Sequence, residues 1–461
     1  MRRAPTRRYF LRNSVLSAAA VSLAPGILRA QNVGSKLNIA CIGVGGRGGA
    51  HLGSAAGENL AAICDVDANT LAKVGGKYPD ARQFQDYREL FDTMANQIDA
   101  VIVATPDHHH FPASMLAIRN GKHVYCEKPL THTMAEARML TEVARKARVM
   151  TQMGNQGHSG EGYRLLCEYI WSGAIGDVSE VHCWTNRPIW PQGLDRPAGQ
   201  DTVPAQLNWD VWIGPAPMRP YKEKWGEERL DRRGGVYHPF NWRGWWDFGT
   251  GALGDMGCHI MDGACWSLFL TNPTKIELVE SSELKREMAP RFAVLRYHFP
   301  QRTGTLPNGQ QRTFPACTLT WYDGGKQPER PADLEPGRKL AEGDNGSLFI
   351  GSRGKMMSGT YGGGTRIFPE KQMQETKKPE PMIDRVPGPQ ADWIRACKTG
   401  KPSSANFEYA GPFTELVLLG NLALRVGQTI EWDARGLKVI NAPEANAFIR
   451  KDYRAGWDFT V

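Results

Sequence analysis

The sequence predicts an α/β protein, with a doubly wound parallel sheet first and then an α+β region on an open, mostly antiparallel sheet. Three observations predict it. Short apolar runs alternate with helical stretches between residues 37 and 153. A glycine cluster directly follows the first of those runs. Beyond Gly154 the alternation gives way to strand candidates separated by Pro- and Gly-rich loops. At 461 residues and 41% hydrophobic content the chain can bury a large core and is too long for one ordinary domain.

Each element follows in order. Residues 37–42 form an apolar run of the kind a buried parallel strand shows, broken by the glycines from Gly43 to Gly49, after which a helical stretch is expected. Residues 59–65 make the second strand, Tyr87–Met94 a helix, 100–104 a strand, 112–120 a helix and His123–Cys126 a strand. Met134–Ala147 carries apolar residues at helical spacing, and 149–153 is a further strand. This order means parallel strands joined by crossovers, so a first domain is expected over 36–154 and a second over 155–461. In the second, 177–184, 275–280, 292–298 and Cys317–Tyr322 read as strands, and the polar stretches 323–345 and 370–387 as surface loops.

The formal charge of +8 would point to nucleic acid, but Arg2, Arg3, Arg7, Arg8, Arg12 and Arg29 precede any acid; subtracting those six from +8 leaves +2. No nucleic-acid partner is expected. Thr6-Arg7-Arg8-Tyr9-Phe10-Leu11-Arg12 is a twin-arginine motif, followed by a weakly apolar stretch and a small-residue stop near Ala30. Residues 1–30 therefore read as a signal peptide cut after Ala30, with the twin-arginine export machinery as partner and a periplasmic or otherwise exported destination. The apolar run is too short for a permanent span, so stable membrane insertion is not expected. The odd cysteine count of nine, with Cys41 and Cys64 in apolar runs, argues against a disulfide framework.

Gly43-Val44-Gly45-Gly46-Arg47-Gly48 satisfies G-x-G-x-x-G between a strand and a helix, where glycines let the backbone approach a pyrophosphate. Asp65 ends the next strand, where a carboxylate accepts both ribose hydroxyls and repels a 2′-phosphate. NAD is thus the expected cofactor. Thr105-Pro106-Asp107-His108-His109-His110 ends a later strand, at the edge where open sheets bind ligands. Adjacent loop histidines rarely converge on one ion, so no metal is expected and Thr105, Pro106 and His110 are placed beside the nicotinamide ribose. Glu127-Lys128-Pro129 ends the following strand, and a lysine there can favour a developing alkoxide. Asp255 and His259, four apart on a helix, share a face; a histidine paired with a carboxylate can take a hydroxyl proton.

In that order, the glycine loop, Thr105-Pro106 with His110, Glu127-Lys128-Pro129 and the Asp255/His259 pair resemble the glucose-fructose oxidoreductase, inositol dehydrogenase and rhizopine-catabolism (Gfo/Idh/MocA) family, in an exported branch. The resemblance implies a Rossmann domain that binds NAD through Gly43, Gly45, Gly46, Arg47, Gly48, Asp65, Glu127 and Lys128. It implies catalysis by Lys128, Asp255 and His259, and a second domain whose sheet binds substrate and forms the face of a homodimer or homotetramer. Where many relatives carry an arginine after the last strand of the first domain, this chain offers Asn155, Gln156 and His158. Eight of the fourteen tryptophans fall between Trp184 and Trp246, a density that suits sugar faces and core packing equally. Tyr237, His238, Trp245 and Trp246 are the substrate candidates there.

The leading expectation is oxidation of a sugar, glycoside or cyclitol hydroxyl, with Lys128 on the oxygen, His259 taking the proton and Asp255 orienting the imidazole. An exported chain meets no pool that reoxidises its cofactor, so the net reaction is expected to be redox-neutral. Hydride exchange between two sugars meets that condition. So does glycoside hydrolysis by transient oxidation, elimination, hydration and re-reduction, which needs no carboxylate pair. A non-enzymatic sugar sensor is the competing class, disfavoured by Lys128, Asp255 and His259 occurring together.

Overall fold

Short parallel strands whose central members, such as Ala100–Val103 and His123–Cys126, are buried throughout have to be covered on both sides, and the chain does this with crossovers. A computed structural model describes residues 34–231 and 234–459; the twin-arginine leader and the cut after Ala30 lie outside the described residues. Strands β1 (Asn38–Ile42), β2 (Asn59–Cys64), β3 (Arg82–Phe84), β4 (Ala100–Val103), β5 (His123–Cys126) and β6 (Thr151–Met153) form one parallel sheet in the order β3-β2-β1-β4-β5-β6. Ile42 pairs with Cys64 on one side and Val103 on the other. The winding reverses between β1 and β4, which opens a crevice at the carboxyl ends of these strands.

Local signals set the crossover helices. The Asp86 side chain accepts from Arg88 N–H at the start of Tyr87–Met94, and Thr133 with Glu136 closes a capping box on Met134–Ala147. The helix after the glycine loop comes in two pieces, Gly46–Gly49 and Leu52–Gly57, in keeping with the low helical propensity of their five glycines. The helix expected over 112–120 starts earlier, at His110. β3 escapes sequence reading because it is three residues long and mostly exposed.

The second sheet has nine strands. β7 (Val178–Trp184), β8 (Lys275–Ser281), β9 (Ala293–Phe299) and β12 (Cys317–Tyr322) match the expected runs, while β10 (Arg302–Thr305) and β11 (Gln311–Phe314) form a separate hairpin. β13 (Gly346–Gly351), β14 (Gly354–Ser358), β15 (Arg366–Phe368), β16 (Ile430–Asp433) and β17 (Lys438–Val439) complete the order β15-β14-β13-β7-β12-β9-β8-β16-β17. β7 and β12 pair in parallel; the other neighbours are antiparallel. The stretch expected as a loop over 370–387 contains a short helix, Glu370–Glu375.

Late in the chain, Pro389–Thr399 and Phe407–Val426 return to the first sheet. Trp393 packs edge-on against Tyr125 with ring centroids 5.8 Å apart, and Met153 N–H donates to Ala405 C=O at 2.9 Å. One apolar cluster therefore runs from Ala40 and Val101 through Met153 to Leu295 and Leu319. All nine cysteines are buried and unpaired. Among the described residues no helix is long and apolar enough to cross a membrane.

Candidate active site

A cavity of about 1030 Å³ opens along the carboxyl ends of β1, β2, β4 and β5, running from Asp65 to His259. Gly43 sits at φ +77°, where a Cβ would come within 2.7 Å of Ala104 O. Gly46, at φ +46°, would carry a Cβ with nothing within 4 Å, so bare backbone faces the cavity. Asp65 Oδ2 accepts from Val44 N–H at 3.0 Å and Gly45 N–H at 3.2 Å, and Oδ1 from Asp67 N–H at 3.1 Å. Burial raises the Asp65 pKa against these bonds. Thr105 Oγ1 is buried there without a partner. Open glycine backbone, an acid at the ribose position and an orphaned hydroxyl fit a dinucleotide, which Gly45, Gly46, Arg47, Asp65, Thr105 and Pro106 would hold.

Glu127 anchors the middle of the wall. Its Oε1 accepts from Arg47 Nε at 3.0 Å and lies 2.8 Å from His51 Nε2, whose Nδ1 lies 3.0 Å from Gln390 Nε2. Burial opposes the charge on Glu127, but His51, Arg47 and Lys128 outweigh it and hold the carboxyl down at about 2.

At the far end Lys128 Nζ donates to Asp255 Oδ1 at 2.9 Å and to the Asp255 carbonyl at 2.9 Å. Arg243 Nε donates to the same Oδ1 at 3.2 Å. Burial works against Asp255, yet the two cations drive its pKa well below the carboxylate range; burial opposes Lys128 likewise, and Asp255 raises it. His259 lines the cavity four residues on, with Nδ1 unpartnered and its ring 5.0 Å from that of Tyr361 in an edge-on contact. Burial, then the nearby Lys128, lowers it to about 3, so the imidazole is neutral at pH 7.

This geometry corrects the expected role of Asp255. No hydrogen bond joins it to His259, although one helix, Gly251–Ile260, carries both; two cations attract the carboxylate more strongly than a neutral ring does. An ammonium has three donors, and Asp255 takes two of those of Lys128, leaving one for a substrate oxygen. Asp255 therefore positions Lys128.

Of the cofactor candidates, Gly43, Gly45, Gly46, Arg47, Asp65, Thr105, Pro106, Glu127 and Lys128 line the cavity. Gly48 and His110 do not. A Cβ on Gly48 would fall 1.8 Å from Gly43 O, so this glycine serves close packing of helix on strand. His110 is buried between Pro129 O at 2.6 Å and Thr105 O at 2.9 Å, tying two loops together. His108 and His109 also bond protein groups, the first to Phe248 O and both to Trp212 O.

The substrate candidates divide. Gln156 and His238 line the cavity. Asn155 is fully buried beneath it, and His158 is buried against Asp262 at 3.0 Å and stacked on Trp266 at 3.8 Å. Tyr237 and Trp245 belong to an enclosed aromatic cluster with Trp209, Trp212 and Phe248, and Trp245 donates to Val236 C=O at 2.9 Å. Trp246 lines a different, smaller cavity. Burial removes the first four from contact with a ligand in the main cavity, and Trp246 faces the other one. Sequence reasoning missed Arg243, His51, Tyr361, Trp190, Phe240 and Trp242. Only the aromatic density between 184 and 246 hinted at the last three.

Comparison with known proteins bears on the fold and the cofactor. Residues 37–155 match the model of an oxidoreductase family with an NAD-binding Rossmann fold, and 177–319 that family's C-terminal α/β domain. Inositol 2-dehydrogenase of Salmonella paratyphi B is 30% identical over 152 residues, 32% of this chain and 45% of the relative, so the match spans under half of that enzyme. The WlbA dehydrogenase from Bordetella pertussis, solved with NADH and UDP-GlcNAcA, superposes with a TM-score of 0.57 at 17% identity over 87% of this chain and 98% of that one. The aldose-aldose oxidoreductase from Caulobacter crescentus, solved with glycerol, gives 0.50 at 18% identity, covering 86% and 100%. At such identities the likeness is one of fold. With residues 37–155 and 177–319 matched by the family's two domains and a glycine loop shaped for the dinucleotide, this chain belongs to the NAD-binding Gfo/Idh/MocA oxidoreductase family.

Proposed function

We propose that this chain oxidises a secondary hydroxyl of a sugar, glycoside or cyclitol. The observation that carries the reading is the convergence of Lys128, Asp255 and His259 in the one cavity that also holds the glycine loop. When bound, NAD supplies a hydride acceptor at the carbon that bears the hydroxyl. The remaining Lys128 donor holds the substrate oxygen and lowers the cost of charge developing on it. Neutral His259 accepts the hydroxyl proton at an unprotonated ring nitrogen, and Asp255 keeps Lys128 charged and aimed. Trp190, Phe240, Trp242 and Tyr361 along the cavity offer flat faces to a pyranose ring, and they exclude water.

The finer reading is that the protein is exported folded, with NAD retained, and works as a homo-oligomer on a redox-neutral reaction. The twin-arginine motif supports this, because a cofactor carried out with the protein has to be regenerated in place. Hydride exchange between two sugars and elimination with rehydration of a glycoside both satisfy it. Incubating the protein with an aryl glycoside and a panel of free sugars in deuterated water separates them. Deuterium next to the oxidised carbon, with aglycone release, marks elimination; oxidised and reduced sugars without ring deuterium mark exchange. Failure to find NAD in the denatured protein would rule out a retained cofactor, and no turnover of any sugar with added NAD would sink the activity itself.

A further inference from the structure

A second cavity, about 260 Å³, lies outside the main one, between the segment Trp246 to Thr250, the helix Phe407–Val426 and residues 447–452. Its walls hold an uncompensated cation. The Arg425 guanidinium lies 4.0 Å from the Phe448 ring centroid and 5.3 Å from that of Trp246, so two aromatic rings neighbour it. Among the described residues no carboxylate or carbonyl accepts from it. A guanidinium carries five N–H donors at its edge, and rings over its face leave those open to the cavity and solvent. Burial lowers the Arg425 pKa to about 10, with Asp247 only partly opposing, so the charge is held at a cost.

The other charged groups around this cavity do not repair it. Asp247 is engaged by Arg219, and Lys451 by Glu136 at 2.9 Å. Arg450 and Asp452 remain, one charge of each sign, so Arg425 is in excess. Asn421 also lines this space, with its Nδ2 donating to Thr250 C=O at 3.0 Å and its Oδ1 buried out of reach of the cavity. The protein thus offers Arg425 no anion of its own in this cavity.

We propose that this cavity binds a small oxyanion, a carboxylate such as a sugar acid or a phosphate. Arg425 grips the carboxylate or phosphoryl group, and Arg450 adds charge at the mouth. The volume lies below the ~300–1,000 Å³ of drug-sized pockets, which fits an anion of a few carbons. The proposal does not depend on the sugar oxidation assigned to the main cavity.

The test uses full-length protein saturated with NAD, so that the glycine loop is not free to take up phosphate. D-gluconate and inorganic phosphate are each titrated calorimetrically at low salt. Saturable binding of at least one is expected. Arg425→Met keeps an apolar stem against Trp246 and Phe448 and should weaken that binding about tenfold or more, the worth of a charge-assisted hydrogen bond. Arg450→Gln should weaken it by a smaller factor, and carries the test if Arg425→Met does not fold. No saturable binding of either anion overturns the proposal, as does unchanged affinity in the folded Arg425→Met and Arg450→Gln variants. A parent that binds neither anion while Arg425→Met shifts its sedimentation coefficient would assign the cavity to a neighbouring subunit instead.

Discussion

Lys128 and Asp255 are joined twice, since the ammonium donates at 2.9 Å both to the Asp255 carboxylate and to the same residue's main-chain carbonyl. The ion pair thus ties the end of β5 to the helix Gly251–Ile260 and fixes the one lysine donor left for substrate. Arg243 shares the carboxylate, so two cations depend on one acid.

Replacing Asp255 should therefore cost more than replacing either cation. Asp255→Ala leaves two half-buried positive charges without their carboxylate and is expected to destabilise the fold by about 2–4 kcal/mol in urea unfolding. Asp255→Asn keeps the shape and should retain NAD, yet lose most of kcat because Lys128 is no longer aimed. Full activity in Asp255→Asn would remove the positioning role.

His259 should act as a neutral base across the working range. Its pKa, lowered to about 3, lies far below pH 5, so kcat/KM should show no inflection between pH 8 and 5 that disappears in His259→Asn. That variant should keep its NAD and lose about 10²–10⁴ in kcat. An inflection near pH 6.5 in the parent, absent in the variant, would contradict the buried, neutral ring.

Glu127 links stability to acid. Its folded pKa of about 2 lies below the ordinary 4.5, so its contribution is complete above pH 4.5 and is lost as pH falls towards 2. The shift corresponds to something on the order of 3 kcal/mol. Urea midpoints taken from pH 6 to 3 should fall for the parent and fall less steeply for Glu127→Gln.

Two glycines of one loop should fail differently. Gly48→Ala would place a Cβ 1.8 Å from Gly43 O, so the loop must shift, and both Tm and retained NAD should drop. Gly45→Ala meets only Thr70 at 3.5 Å and Asp65 at 3.7 Å, so Tm should hold while NAD retention weakens, because the methyl occupies the approach of the pyrophosphate. Absorbance of the denatured supernatant measures retained NAD in each.

Local pattern was enough for the parallel sheet, the glycine loop with Asp65, the Lys128 strand end and the helix that carries Asp255 and His259. Each is a short-range signal: an apolar run, a turn that demands glycine, or two residues four apart on a helix. The sequence also named residues of the right chemistry in the wrong places. His158, Tyr237, Trp245 and Trp246 have types that suit a sugar, but type does not say which way a ring faces, and packing turned them into core or into another cavity. The partners of the site came from afar. Arg243 reaches Asp255 from the preceding turn, Tyr361 meets His259 from a loop of the second sheet, and Gln390 backs His51 across 339 residues of chain. Such meetings depend on how the two sheets and the returning helices close on one another, and no periodicity in a single chain encodes them. The same closure left Arg425 between two rings without an anion, a feature that only its surroundings reveal.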